Sequence, residues 1–123
     1  MPYTLTWESK GLYRKFTGDV SGDEILKSNF ELHVDPYFQN ITYIINDFTG
    51  MTGHSIDISH TEVYAKTDDI VSNSKGRLKI ALVATQADHI DLANSYCDQM
   101  EDKLFECEIF KNIKDARNWV SKD

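Results

Sequence analysis

Apolar and polar positions along this chain alternate between a strand pattern and a helix pattern. YTLTW (3–7) and LYRKF (12–16), joined by ESKG, predict a β-hairpin whose second strand ends at Gly18. SGDEILKSNFELHV (21–34) predicts a helix: Ser21 and Glu24 form a capping box, Ile25, Leu26, Phe30, His33 and Val34 make the apolar stripe, and Asp35-Pro36 closes it. ITYIIND (41–47) is a third strand, nearly continuous in apolar residues, as in a sheet covered on both faces. The stretch 48–58 reads as a loop of Gly, Thr and Ser. Ser59 to Glu62 then reads as a second capping box, opening a polar helix that runs to about Ser74. LKIALVAT (78–85) is the clearest strand. Ile90, Ala93, Cys97 and Met100, widened by Leu92 and Tyr96, space a third helix. CEIF (107–110) is a short fifth strand. NIKDARNWV (112–120) is a last helix, capped by Asn112, with Ile113, Ala116, Trp119 and Val120 inward.

The order is ββαβαβαβα. Strands alternating with single helices imply right-handed crossovers, hence an α/β fold with a mainly parallel five-stranded sheet and the first strand as an antiparallel edge. Residues 1–123 form one domain, long enough to bury roughly two-thirds of its unfolded surface. In such sheets ligands gather beyond the carboxyl ends of the strands. That edge carries Asp19, the Asp47–Asp57 segment, Thr85-Gln86 and Lys111-Asn112.

Composition narrows the classes. With 41% hydrophobic and 27% charged residues the chain reads as an ordinary globular protein. No apolar run approaches the ~20 residues of a membrane span. MPYTLTWESKG lacks the basic and apolar regions of a secretory signal, so a cytoplasmic location is expected. The net charge of −7 excludes nucleic acid as a main partner, because phosphates would repel the chain before contact. Cys97 and Cys107 are too few for a disulfide framework and are expected as two reduced, half or fully buried thiols.

The layout, together with IINDFTG, KIALVAT and IFKNIKDARNWV, resembles the small stand-alone SpoIIAA-like proteins, which share the STAS fold and are grouped with CRAL-TRIO lipid-transfer domains. The resemblance spans essentially the whole chain. In anti-sigma-factor antagonists of this fold the third strand ends in Asp and leads into a loop of the form D-L-S-G-V-T-F-I-D-S-S-G. The second serine of that loop's closing trio is phosphorylated by a partner kinase. In the same register this chain reads DFTGMTGHSIDI: Asp47, Thr49, Gly50 and Thr52 match, Ser55 stands at the acid, Ile56 at the first serine and Asp57 at the phospho-acceptor. The resemblance therefore implies a protein-contact module without the serine switch. A shift of the alignment by two would put Ser55 or Ser59 at the acceptor, although Ser59 is better explained as a helix cap.

Other chemistries find less support. Asp47, Thr85 and Lys111 follow three successive strands as in response-regulator receivers, but only Asp19 is near to complete an Mg²⁺ site and the chain opens with a hairpin. Receiver-like aspartyl phosphorylation at Asp47 is thus the least favoured reading. No histidine pair has the i, i+4 spacing of a helical metal site, so no metal or other cofactor is expected. No G-x-S-x-G elbow is present, and Gly50 and Gly53 without a following Lys do not make a phosphate loop. The expectation is a non-enzyme. It is a cytoplasmic binding or regulatory module acting through protein–protein contacts, compatible with a homodimer, whose recognition surface comprises Asp47, Phe48, Thr49, Gly50, Thr52, His54, Ser55, Asp57 and Ser59. The lipid-transfer grouping implies the alternative of a small apolar-ligand or lipid carrier, with Phe48, Tyr64 and Tyr96 available to line a groove.

Overall fold

Two differently covered faces of one sheet account for the apolar pattern. In a computed structural model that describes residues 2–122, the chain runs β1 (Tyr3–Trp7), β2 (Gly11–Ser21), α1 (Gly22–Val34), a 3-10 helix (Pro36–Asn40), β3 (Tyr43–Ser55), α2 (Ile58–Lys75), β4 (Leu78–Val83), α3 (Ala87–Gln99), β5 (Phe105–Phe110) and α4 (Ile113–Val120). The strands lie in sequence order, with β1 antiparallel to β2 and every later pair parallel. This is the expected ββαβαβαβα sheet. Helices α1, α2 and α3 cover one face over Leu12, Phe16, Ile44, Ile80 and Leu82. Helix α4 covers the other, packing Ala116 and Val120 on Ile45, Ala81 and Val83. β4 is buried on both sides, which explains its unbroken apolar run.

The two central strands are longer than the apolar pattern shows. β2 continues past Gly18 to Ser21, and β3 continues past Asp47 to Ser55, so most of the expected loop is strand. The two pair in parallel over this extension, from Thr17↔Gly50 to Ser21↔Ser55, with register shifts between Lys15 and Thr17 and between Gly18 and Asp19. The ladder, not side-chain alternation, holds this stretch extended. Gly50 is required there: a Cβ would sit 2.8 Å from the Phe16 carbonyl oxygen.

Helix faces also rotate from the expected ones. On α1, Phe30 and Val34 are exposed, at 50% and 82%, while Ile25, Ser28, Asn29 and Leu32 are buried. Polar residues turn inward because a charge lies beneath them: Ser28 Oγ accepts from Arg14 Nη1 at 2.9 Å. Helix α2 is capped by Asp57, not Ser59. Asp57 Oδ1 accepts from His60 N at 3.2 Å, and His60 Nδ1 accepts from Asp57 N at 3.1 Å, a box closed by histidine. Ser59 Oγ donates to that same Asp57 carboxylate, so Ser59 supports the cap without being it. On α4 the expected cap stands, Asn112 Oδ1 accepting from Asp115 N at 2.8 Å.

The cysteines are not free thiols. Cys97 in α3 and Cys107 in β5 form a disulfide across ten residues of sequence, their Cα atoms 5.2 Å apart. Their spacing shows no disulfide framework, but α3 packs directly on β5 and brings them together. Closing so short a loop stabilises by about 2–3 kcal/mol on the chain-entropy account. Cys97→Ser/Cys107→Ser is expected to lower urea stability by that amount, with reductant having no further effect on the variant. An unchanged midpoint would show that the bond contributes nothing to the fold.

Candidate functional site

The extension of β3 distributes the expected recognition residues over two faces of the sheet. Asp47 is not at a strand end. It pairs with Lys15 on β2 and Val83 on β4, and it is 2% exposed. Its Oδ2 accepts from Tyr13 OH at 2.5 Å, and its Oδ1 accepts from Thr49 N at 2.9 Å and Thr49 Oγ1 at 2.7 Å. Burial pushes the carboxyl up, but the bonds from Tyr13 and Thr49 outweigh it and hold the group below the ordinary Asp value. Burial and Asp47 together raise Tyr13, which keeps its hydroxyl a donor. A phosphoryl group on Asp47 would have to displace these donors.

Phe48 and Met51 face α1–α3. Phe48 stacks on Phe16 with ring centroids 5.1 Å apart, and Met51 is buried. With Ile56 they wall one end of a partly open cavity of about 80 Å³ between the sheet and these helices. Its lining is mostly apolar but includes Arg14, Asn46, His33, Asp68 and Tyr96, polar groups that the apolar stripes do not reveal. Asp68 Oδ2 accepts from Tyr96 OH, and Asp68 Oδ1 lies 3.2 Å from His33 Nε2. Tyr64, from the same helix as Asp68, donates its hydroxyl to the Gly22 carbonyl and so ties α2 to the start of α1. Its ring also lies alongside that of His60, with centroids 6.4 Å apart. Thr52, Ser55, Asp57 and Ser59 are exposed.

Folding also unites three residues far apart in sequence: His54, at the end of β3, meets Asp88 and His89, at the start of α3. Their ligand-type atoms lie within 4.8 Å of one another. The hydrogen bonds argue for a strap, not a metal centre. His54 Nδ1 accepts from Ile56 N at 3.1 Å, so Nε2 carries the proton and donates to Asp88 Oδ2, 3.1 Å away. A metal-bound histidine needs the reverse, with its second nitrogen donating. His54 holds Asp88 below the ordinary Asp value. Burial lowers His89, with Asp88 opposing and His54 assisting. Single-residue spacing could not reveal this group, because the parallel sheet creates it.

The chain is a SpoIIAA-like α/β domain in fold. Its structure is similar to that of the anti-sigma factor antagonist SpoIIAA in its unphosphorylated form, with a TM-score of 0.62 and 11% identity, covering 98% of this chain and 99% of that one. It is also similar to an uncharacterised protein of the DUF3478 family with a SpoIIAA-like fold from Shewanella loihica PV-4, at a TM-score of 0.52 and 14% identity over 96% and 91% of the two chains. At these identities the likeness defines the fold alone. No family model matches the sequence. No curated protein matches it either. Among the described residues, no helix is long and apolar enough to cross a membrane.

Asp47 gives the site its acid dependence. A carboxyl lowered in the folded state contributes stability that is complete above its ordinary value of 3.8 and is lost as pH falls through the lower folded value. Asp47→Asn is expected to lower urea stability at neutral pH, with the difference from wild type shrinking as pH falls below 3.8. A difference independent of pH would remove the carboxylate's charge from the account.

Proposed function

We propose that the chain is a non-catalytic binding and regulatory module that works through protein contacts at the end of β3 and the first turn of α2. The observation that carries this reading is the surface of that turn. Ile58 is 53% exposed, flanked by exposed Asp57 and Ser59, and Glu62 continues the same exposed helix one turn on. An aliphatic side chain within a polar rim is the composition of a protein-contact patch. Likeness in fold to an anti-sigma factor antagonist supports the assignment. Asp57 stands at the expected phospho-acceptor and is committed as a helix cap, with Ser59 Oγ and His60 N on its carboxylate. The surface thus has a permanent negative charge in place of a switchable hydroxyl. The disulfide pulls against the cytoplasmic setting that accompanies this reading, since thiols there are kept reduced.

The cavity favours a second reading, a carrier of a small apolar ligand, since it is partly open and its lining is mostly apolar. The two readings use opposite sides of α2.

Ile58→Asp with Glu62→Lys changes the outer surface and leaves the cap and the core untouched. Capture of a specific partner from host lysate is expected with wild type and lost with this variant, while circular dichroism and melting are unchanged. Full capture by a folded variant would place the contact surface elsewhere.

A further inference from the structure

Arg14 is the exceptional member of the core. It lies in the middle of β2 and is 4% exposed. Nε donates to Asn46 Oδ1 at 2.9 Å, Nη1 donates to Ser28 Oγ at 2.9 Å, and the guanidinium lies 5.1 Å from the centroid of the Phe16 ring. All three partners are neutral. Arg117, by contrast, forks onto Glu8 through two bonds of 3.0 and 2.8 Å. Among the described residues no carboxylate lies within ion-pairing distance of Arg14. Burial pushes its guanidinium down to about 10, which leaves it charged at neutral pH.

A buried charge without a direct ion pair is costly, and side chains of this kind are normally paired. Asp68 lines the same cavity but is already engaged by Tyr96 and His33. The charge of Asp68 still reaches Arg14 and favours its charged form, but from beyond ion-pairing distance. His33 brings a second incomplete group to this cavity, for its Nδ1 is buried without a hydrogen-bond partner among the described residues. A guanidinium offers five N–H groups, and among the described residues only two find protein acceptors.

We propose that this cavity binds a small organic monoanion, a carboxylate whose oxygens take the free N–H groups of Arg14 and whose short apolar body lies among Ile44, Met51 and Leu82. The guanidinium fork matches a carboxylate in geometry as well as charge. Size sets the class of ligand: an engineered cavity of about 150 Å³ binds benzene, and this one, at about 80 Å³, suits an acyl body of a few carbons. The proposal rests on the ligand-carrying reading and narrows it to an acid held by its head.

The test is a titration of the full chain with acetate, butyrate and hexanoate, and with acetamide, butyramide and hexanamide as neutral counterparts. Binding is followed by calorimetry and by the Arg14 Nε–H resonance. At least one acid is expected to bind about tenfold or more tightly than its amide and to shift that resonance. Arg14→Gln is expected to abolish the preference; if that variant fails to fold, the wild-type comparison and the Arg14 signal still decide. Equal binding of acid and amide would leave a ligand cavity and overturn the role of Arg14. Binding by neither series would overturn the carrier reading together with the proposal.

Discussion

The long parallel pairing of β2 with β3 is the constraint on which the rest of this molecule depends. From Gly11↔Tyr43 to Ser21↔Ser55 it runs well past the point where β4 ends opposite Asp47. Within the four-strand part it lays Arg14 beside Asn46 and Lys15 beside Asp47, which sets the two buried polar groups on opposite faces. Beyond that part it carries Met51 over the cavity and His54 to the start of α3. The glycines make the pairing possible. Gly50 passes against the Phe16 carbonyl, and Gly18 takes a positive φ of 72° beside the second register shift.

The same pairing leaves the two faces of the core differently polar. The buried centre of the α4 face is small and branched, and Asp47 there is held as a carboxylate by hydrogen bonds from Tyr13 and Thr49. The three-helix face encloses Arg14, His33, Asp68 and Tyr96 between α1, α2 and the sheet. Each charge removed from water there costs of order several kcal/mol, which the surrounding hydrogen bonds offset only in part. Ser28 turns inward and bonds Arg14, while Phe30 and Val34 on the same helix turn outward.

Sequence patterning recovers the architecture because periodicity reports how many faces of an element are covered. β4 reads correctly since it is apolar on both faces, and α4 since its cap and stripe are local features. Patterning fails where partners are distant. The stretch TGMTGHS has the composition of a loop and is held as strand by β2. The cap of α2 falls on Asp57 because the chain enters extended from that strand, with His60 replacing the usual Glu or Gln. The disulfide, the His54–Asp88–His89 strap and the Arg14 cavity are each made by contacts across the sheet, between residues with no common sequence period. Of the residues expected to form a recognition surface, Thr49, Thr52, Ser55, Asp57 and Ser59 are exposed, Phe48, Gly50 and His54 are half-buried, and Asp47 is buried.

Helix α2 joins these two halves. Its first turn presents Ile58 outward, and Thr61, Tyr64 and Asp68 from the following turns line the cavity. The hydroxyl of Tyr64 on the Gly22 carbonyl and the contact of Asp68 with His33 fix the helix to α1, while Thr61 and Ser95 hydroxyls, 2.8 Å apart, fix it to α3. An occupant of the cavity and a partner on the outer turn would therefore touch one rigid body. A ligand alters the outer surface only as far as its contacts differ between two positions of that body. The groups able to make such a difference are polar and few, since apolar walls hold an apolar body almost equally well after a small shift, whereas a hydrogen bond weakens steeply when misaligned. On this helix that places the sensitivity at Asp68, through its bond from Tyr96 and its close approach to His33, one turn beyond Tyr64 and on the side opposite the exposed residues.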